Sequence, residues 1–159
     1  MTIFGISGSM ALMLVGFGLR DSIMDIARRQ YQELQHYTGT IIDDEDATDK
    51  ERQELDEFLE NNSQIERYTH VQFTKMSVPR NKSNISVYVY VPENLETFNK
   101  DVTLQDRKTK EKYKLTDAGT VISEKTATLT GLKVGDTMTI TKDGKNYETK
   151  IAAVTENYM

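Results

Sequence analysis

Between Thr2 and Leu19 the chain carries no charged side chain. As a helix, this stretch would rise about 27 Å at ~1.5 Å per residue, just short of a ~30 Å bilayer core. Its apolar residues go all round rather than forming a stripe. Small residues recur four apart, Gly5 with Ser9 and Ser7 with Ala11, a spacing that lets another membrane helix approach closely. The rest has a soluble composition. Charged residues make up 28% of the 159-residue chain, the formal net charge is -5, and nearly all of that charge follows Leu19. The apolar character is therefore concentrated at one end.

Three readings of the first segment compete. A signal peptide needs a positive n-region and a small-residue cleavage site. No Lys or Arg precedes Arg20, and the GFGLRDS stretch is a poor site. A buried helix of a soluble domain would be weakened by its four glycines. A membrane-spanning helix, partial at its start, accommodates both features. Arg20, Arg28 and Arg29 follow the span, and the positive-inside rule would place the remainder in the cytoplasm. That rule needs both flanks, so orientation stays open on charge alone.

From Leu19 to Thr38 there is no Gly or Pro, and Ile23, Ile26, Ala27, Tyr31, Leu34 and Tyr37 recur at helical spacing. The pattern predicts a rod to about Tyr37, capped by Gly39. Such a rod is either an amphipathic helix packed on its own domain or a stalk that transmits motion. Thr48 and Glu51 have capping-box spacing, which predicts a helix over Asp49–Asn61 with Leu55, Phe58 and Leu59 facing inward. Alternation predicts strands from about Ile65 to Met76 and over Ile85–Val91. In the second, Tyr88 and Tyr90 oppose the Ile and Val residues. These tyrosines form a ligand platform or cover a second sheet face. Pro92 ends that strand and starts a short helix through Leu95 and Phe98.

Val102–Gln105 and Tyr113–Leu115 would pair as a hairpin. Thr120–Ile122 reads as a strand. Ser123 caps a short helix that Gly131 closes, and Gly135-Asp136 makes a turn. Asp143-Gly144 joins two alternating strands, with Met138 and Ile140 before it and Tyr147 to Ala153 after.

Candidate chemistry is sparse. There is no cysteine, which excludes disulfides and thiolate catalysis. The acidic balance argues against nucleic acid. Asp43, Asp44, Glu45 and Asp46 cluster, but an EF-hand beginning at Asp44 would need Gly and Glu where Asp49 and Leu55 stand. The cluster is better explained as a loop favouring the following helix N-terminus. Arg107, Lys108, Lys110 and Lys112 form a basic connection interrupted by Asp106 and Glu111, read as a solvated loop rather than an anion site. His36 and His70 lack motif partners. Asn61, Asn81 and Asn84 each begin an Asn-x-Ser triplet, a spacing common by chance in loops. No phosphate-binding loop and no nucleophile elbow occurs. The residues assign no catalytic, cofactor-binding or metal-binding position, and the chain reads as a non-enzyme without a cofactor.

Two segments together carry a resemblance. Ala11–Ile23 reads ALMLVGFGLRDSI. Val121–Tyr158 contains VISEKTATLTGLKVGDTMTI, a hairpin and KIAAVTENY, with the turn Leu132-Lys133-Val134-Gly135-Asp136. The pair resembles permease subunits of bacterial ABC transporters of the FtsX and MacB type, and the first segment resembles large Gram-positive permeases in particular. The resemblance implies an α+β fold, with an N-terminal transmembrane and stalk helix leading to a mixed-sheet ectodomain. Its divisions would be residues 1–19 in the membrane, 20–38 as stalk and 39–159 as an extracytoplasmic domain truncated at its end. It further implies a cell-membrane location with residues 20–159 outside the cytoplasm. The implied partners are a cytoplasmic ATP-binding subunit, the other transmembrane helices of the same permease and a second copy of the chain. The function expected is coupling of cytoplasmic ATP hydrolysis to export or mechanical work. The alternative is a single-span anchored binding or sensor module.

Overall fold

A computed structural model describes residues 2–44, 46–80 and 83–158, apart from the side chains of residues 2–4. Among these residues the fold is α+β, with four α-helices and a curled five-stranded sheet. Helix α1 runs Thr2–Arg28 and continues without a break as a π-helical stretch, Arg29–Leu34. Helix α2 spans Asp49–Asn61, α3 Leu95–Asp101 and α4 Glu124–Thr130. The strands are β1 Val71–Val78, β2 Ile85–Pro92, β3 Leu104–Gln105, β4 Lys112–Tyr113, β5 Thr120–Ser123, β6 Thr137–Lys142 and β7 Lys145–Thr155.

The sheet order is β2-β1-β6-β7-β5, antiparallel except for the parallel β5–β7 pair at one edge. Strands β3 and β4 form a separate small ladder. One face of the main sheet holds the core: Val78, Ile122, Met138, Ile140 and Ile151 are buried, with Met76, Ile85, Val87, Val89, Ala127, Leu132 and Val154 packed against them. Helix α4 contributes Ala127 to this face. The other face leaves Phe73, Tyr88 and Tyr90 exposed.

Local signals form as their chemistry dictates. The Thr48 hydroxyl accepts from Glu51 N–H at 3.3 Å, and the Glu51 carboxylate accepts from Thr48 N–H at 2.8 Å, a reciprocal capping box. Those contacts, the Thr48 backbone N–H foremost, hold the Glu51 carboxyl below its ordinary range. Ser123 caps α4 and Gly131 closes it in the left-handed region. Lys142 pairs with Lys145 across Asp143 (φ 50°) and Gly144 (φ 75°), the two positive φ values of a type I′ turn. In the Leu132–Asp136 turn the Asp136 carboxylate accepts Lys133 N–H at 2.8 Å, and Gly135 N–H reaches Ile151 C=O.

Tertiary packing changes several expectations. The rod ends at Leu34 rather than Tyr37, and Gly39 does not cap it. Gln35 turns to extended geometry and bridges to Val102, which draws the chain sideways. The first strand begins at Val71 rather than Ile65, where pairing with Pro92 starts. Phe58 faces solvent at 57% exposure, while Leu59 takes the buried position of α2. Pro92 ends β2, and it is Asn94 that caps α3, its side chain accepting Thr97 N–H at 2.9 Å. The expected hairpin over Val102–Gln105 and Tyr113–Leu115 contracts to the two-residue ladder β3–β4.

Helix α1 is exposed on all sides from Gly5 to Ser22. Among the described residues no helix is long and apolar enough to cross a membrane. Ile3 and Phe4, which extend the apolar run in sequence, have side chains outside the described set.

Candidate functional site: a buried carboxylate where the helix meets the sheet

The π-helical stretch widens the last turns of the long helix and buries two of its side chains, Gln30 at 4% and Leu34 at 3% exposure. Local π-helical turns recur where a helix carries function. Here the stretch turns an amide and an isobutyl group toward the domain. Leu34 C=O accepts Thr103 N–H at 2.8 Å, and Asp101 C=O accepts His36 N–H at 2.8 Å. The end of the helix is thereby stitched to the segment joining α3 and β3.

The end of β7 meets the same place. Tyr158 N–H donates to the Gln30 side-chain oxygen at 3.0 Å. Glu156 N–H donates to Gln105 C=O, and Gln105 N–H donates to the Thr155 hydroxyl. The Glu156 carboxylate sits at the centre with its side chain 1% exposed. It accepts from Gln105 Nε2, from Lys110 Nζ at 2.7 Å and from the Tyr158 hydroxyl at 2.8 Å. An unpaired charge would be very costly at such a depth. Burial is the largest single influence and pushes the Glu156 carboxyl upward. The bonds from Lys110, Gln105 and Tyr158, with the Lys110 charge, together outweigh it, and the group lies below the ordinary glutamate value. Burial first, then the Glu156 carboxylate, pushes the Tyr158 phenol up.

The loop supplying the cation is shaped for delivery. Asp106 accepts N–H groups from Lys108 and Thr109 at 2.8 and 2.7 Å. The Thr109 and Lys108 N–H groups, in that order, hold its carboxyl below the usual range. Lys110 then adopts φ 59°, a left-handed conformation that costs a non-glycine residue roughly 1–2 kcal/mol. That strain accompanies the placement of Nζ on Glu156. On the helix side, Arg28 and Arg29 both bind Asp25 at 2.7 Å and hold its carboxyl low.

The other sequence candidates fall elsewhere. Of the basic connection, Arg107 pairs with Glu124 at 2.9 Å and Lys110 with Glu156, while Lys108 and Lys112 are exposed. His36 bonds the Thr103 hydroxyl at 2.9 Å, and His70 lies 3.2 Å from Asp56. Asp43 binds Arg52 at 2.7 Å, and Asp44 accepts Asp46 N–H. Glu45 and Asn81 lie outside the described residues. Among the described residues no cluster of three or more His, Asp or Glu side chains is placed to hold a metal. Among the described residues, a surface depression beside Val78, Arg80 and Thr130 has no Asp, Glu or His in its lining. On the open face, Phe73 stacks on Tyr88 at 5.0 Å with 13° between ring planes, and Tyr90 tilts against Phe73 at 4.8 Å. The Tyr88–Tyr90 pair is legible in the sequence, but the third ring comes from pairing with β1.

Sequence reasoning missed the Glu156 cluster. Its members come from residues 30, 105, 110, 156 and 158, and no local spacing links them. The one available signal was an acidic residue placed directly after an apolar strand. Comparison with family models, with curated proteins and with solved structures finds no match to this chain.

Proposed function

We propose that the chain is the extracytoplasmic part of an ABC transporter permease of the FtsX and MacB type, with α1 as its membrane and stalk helix. The observation that carries this reading is the contrast along one helix. Ile6, Met10, Leu12, Met13, Leu14, Val15, Phe17 and Leu19 are all at least 59% exposed, whereas Gln30 and Leu34 at the far end are buried in the domain. An apolar surface of that extent seeks lipid or other helices. The docked end would carry displacement of the helix into the sheet. Resemblance in Ala11–Ile23 and Val121–Tyr158 supports the same reading. The energy would come from a separate cytoplasmic ATPase subunit acting on other parts of the permease.

Topology tests the reading. The chain has no native cysteine, and Lys108 is exposed. In intact cells a Lys108→Cys chain is expected to react with a membrane-impermeant thiol reagent. Reaction only after lysis would reverse the orientation and remove the permease reading.

A further inference from the structure

Strand β2 forms one edge of the main sheet. Glu93 N–H donates to His70 C=O, and the register pairs Val71 with Pro92 and Met76 with Val87. Hydrogen-bonded pairs alternate along an antiparallel ladder. Val91, Val89, Val87 and Ile85 therefore bond to β1, while Ser86, Tyr88 and Tyr90 direct their N–H and C=O groups outward. Natural edges are blunted by charges, prolines or bulges. Between Ile85 and Val91 this edge has no charge and no proline, and its register runs unbroken.

We propose that this edge pairs with the β2 of a second copy of the chain, antiparallel, about a two-fold axis through Tyr88. The strand is complementary to itself in that register. Tyr88 meets Tyr88 and the two exchange both backbone bonds. Ser86 lies opposite Tyr90, a small residue facing a large one. On the core side Val87 meets Val89, and Ile85 meets Val91. No like charges are opposed, which would disfavour pairing. The contact is isologous and closes at two copies. It extends the exposed ring cluster of Phe73, Tyr88 and Tyr90 across the axis and covers rings that stand 53–59% exposed. The proposal is independent of the permease reading.

Disulfide trapping in the full chain, held in detergent, tests both pairing and register. Opposed residues in a bonded antiparallel pair have Cα atoms about 5.5 Å apart, within disulfide reach. Tyr88→Cys is expected to give a crosslinked dimer as the dominant product of mild oxidation. Ser86→Cys alone and Tyr90→Cys alone should stay largely monomeric, because each then faces the other position. A mixture of the Ser86→Cys and Tyr90→Cys chains should crosslink, which keeps the test valid if Tyr88→Cys misfolds. Sedimentation of the unsubstituted chain should give a dimer that Tyr88→Glu dissociates. Crosslinking no greater at 88 than at an exposed Lys108→Cys, together with no crosslink in the mixture, would overturn the proposal. So would a monomer by sedimentation, which would leave the edge to a strand of some other protein.

Discussion

Tyr158 and Gln30, 128 positions apart, are joined by a backbone N–H donated to a side-chain amide oxygen at 3.0 Å. The bond ties the segment after the last strand to Gln30, a buried polar side chain near the end of the long helix. Beside it, Glu156 gathers an amide, an ammonium and a phenol. The helix therefore meets the domain through specific hydrogen bonds as well as through Leu34. Polar contacts of this kind fix one orientation, because any shift leaves a buried group unpaired.

Gln30→Ala should leave the part-buried Tyr158 N–H without its acceptor, at a cost of about 1 kcal/mol. Urea denaturation measures the loss. Amide exchange should report faster opening at Tyr158 than at the hairpin around Gly144. Equal protection in both proteins would mean that the helix end is held by Leu34 and by the backbone bonds to Thr103 and Asp101, without help from Gln30.

Acid should destabilise the junction through Glu156. The folded-state value lies below the ordinary 4.5. Its contribution is therefore complete above that value and is lost as pH falls through the lower, folded-state one. Denaturation midpoints across the acid range, for the native chain and for Glu156→Gln, read this directly. The substituted chain should be less stable at neutral pH and should show a shallower fall in acid. Parallel pH curves would remove Glu156 from the acid response.

Gly119→Ala should destabilise the parallel edge. A Cβ at Gly119 would collide with the Lys150 carbonyl and crowd the Ala152 side chain. That carbonyl belongs to the longest strand and has little room to retreat. The expected loss is about 1–3 kcal/mol by overpacking. A thermal midpoint as high as that of the native chain would show that β5 can shift away from β7 without penalty.

Gly144→Val should be costly for a different reason. Space around Gly144 is open, but its φ of 75° suits a β-branched residue poorly. A loss of roughly 1–3 kcal/mol is expected. Gly144→Asn should recover part of it, since Asn tolerates that region. Equal stability of the Val and Asn forms would contradict the type I′ assignment.

Ala27→Pro tests whether the helix is a mechanical element. Proline inside a helix costs ~3 kcal/mol or more and kinks it. If the chain serves in a permease as proposed above, the variant should reach a normal surface level and retain ATPase activity with the partner subunit, but lose the transport-linked phenotype. Full function with proline at position 27 would make the helix a tether only.

Interactions that close within a few residues were legible in the sequence. The Thr48–Glu51 box, the Ser123 cap with Gly131, the Asp143-Gly144 turn and the Tyr88–Tyr90 alternation all form where the spacing puts them. Each depends on bonds or dihedrals spanning at most four positions, so the local chain suffices to specify it. Tertiary structure decided where the long helix stops, because Gln35 gains a bridge to Val102 that helical continuation would forgo. It also decided that Leu59 rather than Phe58 is buried, since the packing surface determines which side of an amphipathic helix is covered. The Glu156 cluster required the whole fold. A carboxylate can be buried at that depth only once Gln105, Lys110 and Tyr158 arrive together from separate elements, and nothing in the spacing of those residues announces that they will meet.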